Sequence, residues 1–244
     1  MRVALFVPCY IDQFYPEVAR ATLTLLERLG CRVVVPLAQT CCGQPLANAG
    51  FAEQARPVMS HFVQVFAPYD YIVAPSGSCV FHVRYHLEAD EAAAVRHVQQ
   101  HTYELCQFLH EVLQVDQIPA RFPHRVAVHD SCHGLRGLGL GRPSERLLPA
   151  WSLVRNLLRQ VEGLELVEPS RPDECCGFGG TFAVEEAAVS VRMGQDRLAD
   201  FLQAGAEVVA STDMSCLMHL EGLARRQGVP LRFMHVAEIL AGRS

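Results

Sequence analysis

The stretch VALFVPC at residues 3–9 decides the fold, because it recurs in the second half of the chain as VAVHDSC at residues 126–132. Both copies are short apolar runs that end on a cysteine, which is typical of a buried strand running into a loop. Further landmarks follow in the same order in each half. They are TCCG (40–43) and ECCG (174–177), IVAPSGSC (72–79) and VVASTDMSC (208–216), and the closing runs ELCQFL (104–109) and HVAEIL (235–240). The sequence therefore predicts one structural unit present twice.

Short β-rich runs alternate with longer amphipathic segments in both halves. The periodicity predicts helices over residues 16–29, 144–160, 185–203 and 215–227. Alternating strands and helices are typical of parallel sheets with right-handed crossovers. We expect an α/β fold of two pseudo-repeated small units with mainly parallel sheets, spanning residues 1–117 and 124–244. Residues 118–123 contain two prolines and no periodicity, and they are predicted to be the linker.

Composition narrows the classes of function. The chain has 244 residues, 50% of them hydrophobic, and a net charge of −5 without a basic cluster, so we expect a folded core and no nucleic-acid partner. The apolar start is too short for a signal peptide, and no run approaches the ~18 apolar residues of a membrane span. A soluble, cytoplasmic protein is expected. All 21 basic residues are arginines, which excludes a Schiff-base lysine and a P-loop lysine.

Ten cysteines are unusual for a chain expected in a reducing compartment, where metal binding or redox chemistry explains thiols better than disulfides do. Each motif cysteine follows a predicted strand, and ligands of parallel sheets lie at the carboxyl ends of strands, so four thiols per half are expected at one edge. The candidate ligands are Cys9, Cys41, Cys42, Cys79, Cys132, Cys175, Cys176 and Cys216. Gly43 and Gly177 are expected to supply the tight turn that lets adjacent cysteines reach one site. Cys31 and Cys106 have no counterpart in the other half and are interpreted as buried core residues.

Three interpretations of the thiols stay open at this point. An iron–sulfur cluster and zinc both need thiolates that converge from several loops. The third interpretation is a metal-free thiol–disulfide protein in which the vicinal pairs cycle. Zinc would make the chain a stabilised scaffold, whereas an iron–sulfur cluster would make it an electron carrier.

Histidine pairs add a weaker signal, because their spacing places both members on one helix face, as in metal-binding pairs. The pairs are His82 and His86, His97 and His101, and His129 and His133. The first two pairs are interpreted as solvated helix faces. The third pair flanks Cys132, so a hydrogen bond to a metal-bound sulfur and a ligand role both stay open.

The doubled pattern of a cysteine, Cys-Cys-Gly and a cysteine resembles the tandem Cys-Cys-Gly domain family over essentially the whole chain. That family includes the cysteine-rich component of heterodisulfide reductase and the iron–sulfur subunits of glycolate oxidase and anaerobic glycerol-3-phosphate dehydrogenase. The resemblance implies an iron–sulfur electron-transfer subunit that binds its cofactor through the eight motif cysteines. The implied cofactor is an iron–sulfur cluster, with [4Fe–4S] expected and zinc as an alternative in one half.

The chain departs from the heterodisulfide reductase pattern at one position in each half. That pattern ends in Cys-x-x-Cys, whereas Ser76 and Asp213 stand here in place of the first cysteine. Five thiolates per half therefore become four, which favours a simpler cluster or zinc over a non-cubane cluster. Asp213 is a candidate oxygen ligand, and Ser76 is a much poorer one.

The chain also has no ferredoxin segment of the Cys-x₂-Cys-x₂-Cys-x₃-Cys-Pro type, so it is most similar to the lactate-utilization branch of the family. This resemblance implies a non-autonomous subunit of a complex that oxidises L-lactate, or a similar 2-hydroxy acid, to the 2-oxo acid. The implied partners are the other subunits of that lactate-utilization complex, including a ferredoxin-type iron–sulfur protein. Phe178, Phe182 and Met214 lie beside the motifs and are predicted to form an exposed apolar docking surface.

Overall fold

The fold consists of two four-stranded sheets in which every strand pair is parallel. The computed structural model describes residues 1–243. The strands are β1 (Arg2–Leu5), β2 (Arg32–Val34), β3 (Ile72–Ala74), β4 (Thr102–Glu104), β5 (Arg125–Val128), β6 (Glu165–Leu166), β7 (Val208–Ser211) and β8 (Arg232–His235). Their order is β2-β1-β3-β4 in the first sheet and β6-β5-β7-β8 in the second. The prediction of two repeated, parallel α/β units is confirmed.

Helices connect the strands, as parallel pairing requires. The α-helices of the described chain are α1 (Cys9–Phe14), α2 (Pro16–Arg28), α3 (Gln44–Asn48), α4 (Ala52–Phe66), α5 (Gly77–His86), α6 (Ala92–His101), α7 (Leu105–Gln107), α8 (Leu153–Leu158), α9 (Phe182–Glu185), α10 (Ala187–Gln203), α11 (Met214–Gln227) and α12 (Val236–Leu240). Short π-helical turns cover Phe108–Val112 and His133–Gly137, and a 3₁₀ turn covers Ser144–Arg146. Within residues 1–243, no helix has the length and apolar character needed to cross a membrane.

The two predicted helices with clear boundary signals are confirmed. Helix α2 begins at Pro16, whose missing N–H costs nothing in the first turn, and Val18 and Leu25 lie on its buried face. It ends just before Gly30, which has a φ of +84°. Helix α11 ends in the same way at Gly228, where φ is +66°. Positive φ values favour glycine, which explains why a glycine follows each of these two helices.

The prediction of one continuous helix over residues 144–160 is wrong. Only the 3₁₀ turn and the six residues of α8 are helical there. Pro149 lies between them; it has no N–H and disfavours helical geometry in the residue before it. Helix α8 begins only after Ser152, whose hydroxyl accepts a hydrogen bond from the Arg155 N–H at 3.2 Å. The helix predicted over 185–203 is instead split at Glu186 into α9 and α10.

One of the two apolar core clusters of the described chain extends through both halves. Helix α12 of the second half packs against α2 of the first, and buried residues of both sheets belong to one cluster. Residues 118–123 are part of this core rather than a free connection. Phe122 is 0% exposed, and its N–H donates to the Glu162 carbonyl at 2.9 Å. The segment predicted to be a linker is therefore anchored in the core cluster that spans both halves.

Replacing Phe122 with alanine should lower the free energy of unfolding by about 3–5 kcal/mol, because a fully buried ring leaves a cavity. Arg121→Ala is the matched control. Arg121 forms a 3.4 Å ion pair with Glu162 between exposed side chains, and such pairs contribute about 0–1 kcal/mol. Urea unfolding monitored by circular dichroism measures both variants. Equal, small losses would mean that the segment is a free linker after all.

Candidate metal centre

All eight motif cysteines lie beyond the carboxyl ends of the strands, as the sequence predicts. The two vicinal pairs occupy the loops that follow β2 and β6. Cys79 and Cys216 lie in the first turns of α5 and α11. The partial positive charge of a helix N-terminus stabilises a thiolate, which is the form of cysteine that binds metals.

Four thiols of the first half form one cluster. The Sγ atoms of Cys9 and Cys41 are 3.8 Å apart, and the Cys42 thiol interacts with both Cys41 and Cys79. The Gly43 N–H points at the Cys41 sulfur, 3.4 Å away. Interaction with the Cys42 and Cys9 thiols lowers the pKa of Cys41, and interaction with Cys41 raises the pKa of both neighbours. The cluster therefore favours a thiolate at Cys41.

The second half repeats this arrangement. Cys175 interacts with Cys132 and Cys176, and Cys176 also interacts with Cys216. These contacts lower the pKa of Cys175 in the same way. Two backbone donors face the sulfurs: Gly177 N lies 3.4 Å from the Cys175 sulfur, and Phe178 N lies 3.5 Å from the Cys176 sulfur. Neighbouring sulfurs with backbone donors are an arrangement suited to holding a metal or cluster.

The Cys-Cys-Gly turns need glycine, as expected from the sequence. Gly43 has a φ of +93° and Gly177 a φ of +87°. A Cβ added at Gly43 would lie 2.8 Å from Met59 Cγ, and one at Gly177 would lie 2.7 Å from the Ser190 carbonyl oxygen. Both the backbone conformation and the close packing exclude a side chain here.

The two clusters share one cavity of about 490 Å³ between the halves. Its wall includes every motif cysteine except Cys41, which with Cys9 lines a neighbouring cavity of about 390 Å³. Tyr10 of the first half and Phe178 of the second lie edge to face in this wall, with ring centroids 6.1 Å apart. Both sets of thiols therefore face the same cavity.

The halves are hydrogen-bonded to each other beside the clusters. The Asp213 carboxylate, 1% exposed, accepts hydrogen bonds from Ser76 Oγ at 2.9 Å, Ser78 Oγ at 2.7 Å and Ser78 N at 3.1 Å. The Gly77 N–H donates to the Thr212 carbonyl at 3.2 Å. Ser76 and Asp213 thus bond each other across the halves, and both oxygens of the candidate ligand Asp213 have partners.

His129 lies against the second cluster. One of its ring nitrogens and the sulfurs of Cys176 and Cys216 all lie within 4.8 Å of one another. The side chain is 1% exposed, and neither ring nitrogen has a hydrogen-bond partner within residues 1–243. Burial and the nearby Arg197 lower the pKa of His129 to about 3, so the ring is neutral. His133 lies in the cavity wall, 5.1 Å from the Phe81 ring.

The interpretation of the other histidine pairs as solvated faces is wrong for His82, which is 2% exposed. His82 lies close enough to Cys41 to lower its pKa. His219, which the sequence analysis did not single out, lies close enough to Cys175 for that thiol to influence the pKa of the histidine. Burial lowers the pKa of His82 to about 4 and also lowers that of His219. Each histidine stands three residues after the last motif cysteine of its half, one helical turn along the same face. The repeated Cys-x-x-His spacing was the signal that could have revealed them.

Two further predictions concern the cysteines outside the motifs and the apolar residues beside the motifs. Cys31 and Cys106 are buried in the apolar core, as predicted. Phe178 and Phe182 are partly exposed, but Met214 is only 4% exposed. Met214 is therefore not part of an exposed docking surface, because it belongs to the buried core and lines the cavity from inside.

Two parallel α/β units that place thiol clusters in one shared cavity define a tandem cysteine-rich protein. A family model described as a cysteine-rich domain (CCG) matches residues 3–84 and 126–221, and the chain belongs to that family. Its curated relatives include lactate utilization protein A of Geobacillus kaustophilus, which is 41% identical over 100% of both chains. The protein of the same name from Exiguobacterium sp. is 42% identical over 98% of this chain and 96% of its own, and that of Halalkalibacterium halodurans is 41% identical over the same shares.

The Asp213→Asn variant should lower the free energy of unfolding of the metal-free protein by about 1.5–3 kcal/mol, because an amide loses charge-assisted hydrogen bonds to two serines. The exposed Asp12 provides the control, and Asp12→Asn should change stability by less than about 0.5 kcal/mol. Denaturant unfolding measures both. The metal content of Asp213→Asn should equal that of the wild type. Loss of metal without loss of stability would show that Asp213 is a ligand instead.

Proposed function

We propose that each half of this chain binds a metal centre through its four motif thiols, and that the chain serves as an iron–sulfur electron-transfer subunit in lactate oxidation. The observation that carries the proposal is the pair of four-thiol clusters facing one cavity. Four thiolates are the full ligand set of a [4Fe–4S] cluster and also of structural zinc.

The surroundings of the thiols support this assignment. Each cluster has backbone N–H groups directed at its sulfurs, and such donors stabilise the negative charge of bound thiolates. Cys42 and Cys176 are buried, while Cys9 and Cys132 are partly exposed, so each site is shielded yet open at one side. A bound iron–sulfur cluster supplies one-electron transfer there. The protein contributes the ligands, the shielding from water and the donors that set the reduction potential.

The lactate assignment rests on the relatives named lactate utilization protein A, which match this chain over its whole length. In the proposed complex, L-lactate or a similar 2-hydroxy acid is oxidised to the 2-oxo acid by partner subunits. Electrons then pass between those partners, one of them a ferredoxin-type iron–sulfur protein, and the centres of this chain. The cysteine-lined cavity faces the surface beside exposed apolar side chains, Val184 at 81% and Phe14 at 64%, which suits a docking partner.

Cys79→Ser and Cys216→Ser should each lose about half of the bound metal, because each removes one of four thiolates from a single centre. Cys31→Ser and Cys106→Ser are the matched controls and should keep the wild-type content, since both thiols lie in the core. Iron, sulfide and zinc are measured after anaerobic purification. Equal loss from all four variants would contradict the ligand assignment.

The same measurement separates the alternatives. Stoichiometric iron and sulfide support the electron carrier. Zinc at full occupancy in both halves, with no iron after reconstitution, would point to a scaffold. A metal-free protein whose vicinal pairs oxidise and reduce reversibly would point to thiol–disulfide chemistry.

Oxidation of L-lactate with a dye as the electron acceptor should require the co-expressed partners. In the proposed complex the partners oxidise the hydroxy acid, and this chain only transfers the electrons. The assay compares the isolated anaerobic protein, the partners without it and the complete set. Adding the Cys79→Ser variant in place of the wild type should reduce the rate of the complete set. Turnover by the isolated chain would overturn the subunit assignment.

A further inference from the structure

We propose that His129 takes the place of one motif thiol as a ligand of the metal centre in the second half, so that the centre keeps four protein ligands. The two centres would then differ in chemistry: thiolates alone hold the first, whereas thiolates and one imidazole hold the second. This inference rests on the proposed metal binding and specifies the ligand set of one centre.

The backbone holds His129 rigidly at the cluster. Its N–H donates to the Ala210 carbonyl at 2.8 Å, which extends the pairing of the central strands β5 and β7 by one residue. The Phe201 ring stands perpendicular to the imidazole, with centroids 6.3 Å apart. The imidazole is therefore positioned by the sheet and by α10, so little ordering is needed on metal binding.

The ring nitrogens of His129 lack an alternative role. Both are buried without a hydrogen-bond partner in the described chain, although buried polar atoms normally have one. A bound ion is one of the explanations for such an orphaned group in a native fold, and the neighbouring sulfurs of Cys176 and Cys216 favour it here. The neutral imidazole is also the form that binds metals.

The distances fit a shared metal ion. The nitrogen and the sulfurs of Cys176 and Cys216 lie within 4.8 Å of one another. Ligands of one tetrahedral ion lie about 3.5–4 Å apart, given bonds of about 2.0–2.3 Å. Small side-chain movements therefore bring all three onto one ion.

The first half has no histidine at the position that corresponds to His129. Phe6 occupies the position that corresponds to His129 when the sequences VALFVPC (3–9) and VAVHDSC (126–132) are aligned. Its ring packs edge to face against Phe62 at 4.9 Å and Phe66 at 5.6 Å. The same fold position is thus filled by hydrocarbon at one centre and by an unsatisfied imidazole at the other. A neutral imidazole raises the reduction potential of a cluster relative to thiolate ligands, so the second centre should be reduced first.

The test uses the anaerobic, iron-loaded full-length protein grown with ¹⁵N-histidine. Pulsed paramagnetic resonance of the reduced wild type should show a nitrogen coupling of directly bound imidazole. His129→Phe, which copies the first half, should lose this coupling, and the higher of the two midpoint potentials should fall toward the lower. His129→Cys should also lose the coupling but keep the metal, which guards against misfolding of the phenylalanine variant. The exposed His110 serves as the control, since His110→Gln should retain coupling and potentials.

X-ray absorption provides a second readout that does not depend on variants. A nitrogen shell at about 2.0–2.1 Å from part of the bound metal supports the inference. Sulfur-only coordination with full metal in both halves would overturn it and leave the proposed function intact. A chain that binds no metal in either half would overturn both.

Discussion

The Asp213 carboxylate, held by Ser76 and Ser78 of the opposite half, is the interaction on which the paired site depends. Ser76 Oγ donates to Asp213 and accepts a hydrogen bond from the Cys79 N–H at 3.3 Å. Asp213 itself stands three residues before Cys216. The buried carboxylate therefore holds the serine that bonds the Cys79 N–H, and Ser76, Ser78 and Asp213 all line the shared cavity. Since the carboxylate is buried, each hydrogen bond that it accepts is strong, and losing one would leave a polar group unsatisfied.

The two halves share one backbone fold but differ in the buried residues at corresponding positions. Glu104 and His235 both end the fourth strand of their sheets and both cap the following helix, yet one is an acid and the other a base. Burial raises the pKa of Glu104 to about 8, and burial lowers the pKa of His235 to about 4. Both groups are therefore neutral near pH 7, which spares the fold a buried charge beside Asp213. The difference between Phe6 and His129 follows the same pattern of divergence within a common backbone.

Much of the fold and of the candidate site was predictable from local pattern. The repeated strand-and-cysteine order indicated two parallel α/β units, and strand topology then required the motif thiols to meet at the carboxyl edges. Glycine at positions 43 and 177 indicated the tight turns, and the isolation of Cys31 and Cys106 indicated core residues. The apolar spacing over residues 144–160 was misleading, because Pro149 interrupts the helix that it predicts.

The sequence by itself determined which residues follow which strands, because periodicity and turn chemistry act between neighbours along the chain. Only the tertiary structure decided which residues of the two halves contact each other and which become buried. The tertiary structure buried Phe122, Met214 and His82 and joined Ser76 to Asp213. These contacts join residues far apart in sequence, and their identity depends on the relative placement of two sheets. No local pattern encodes that placement, since it results from the fit of one apolar core between both halves.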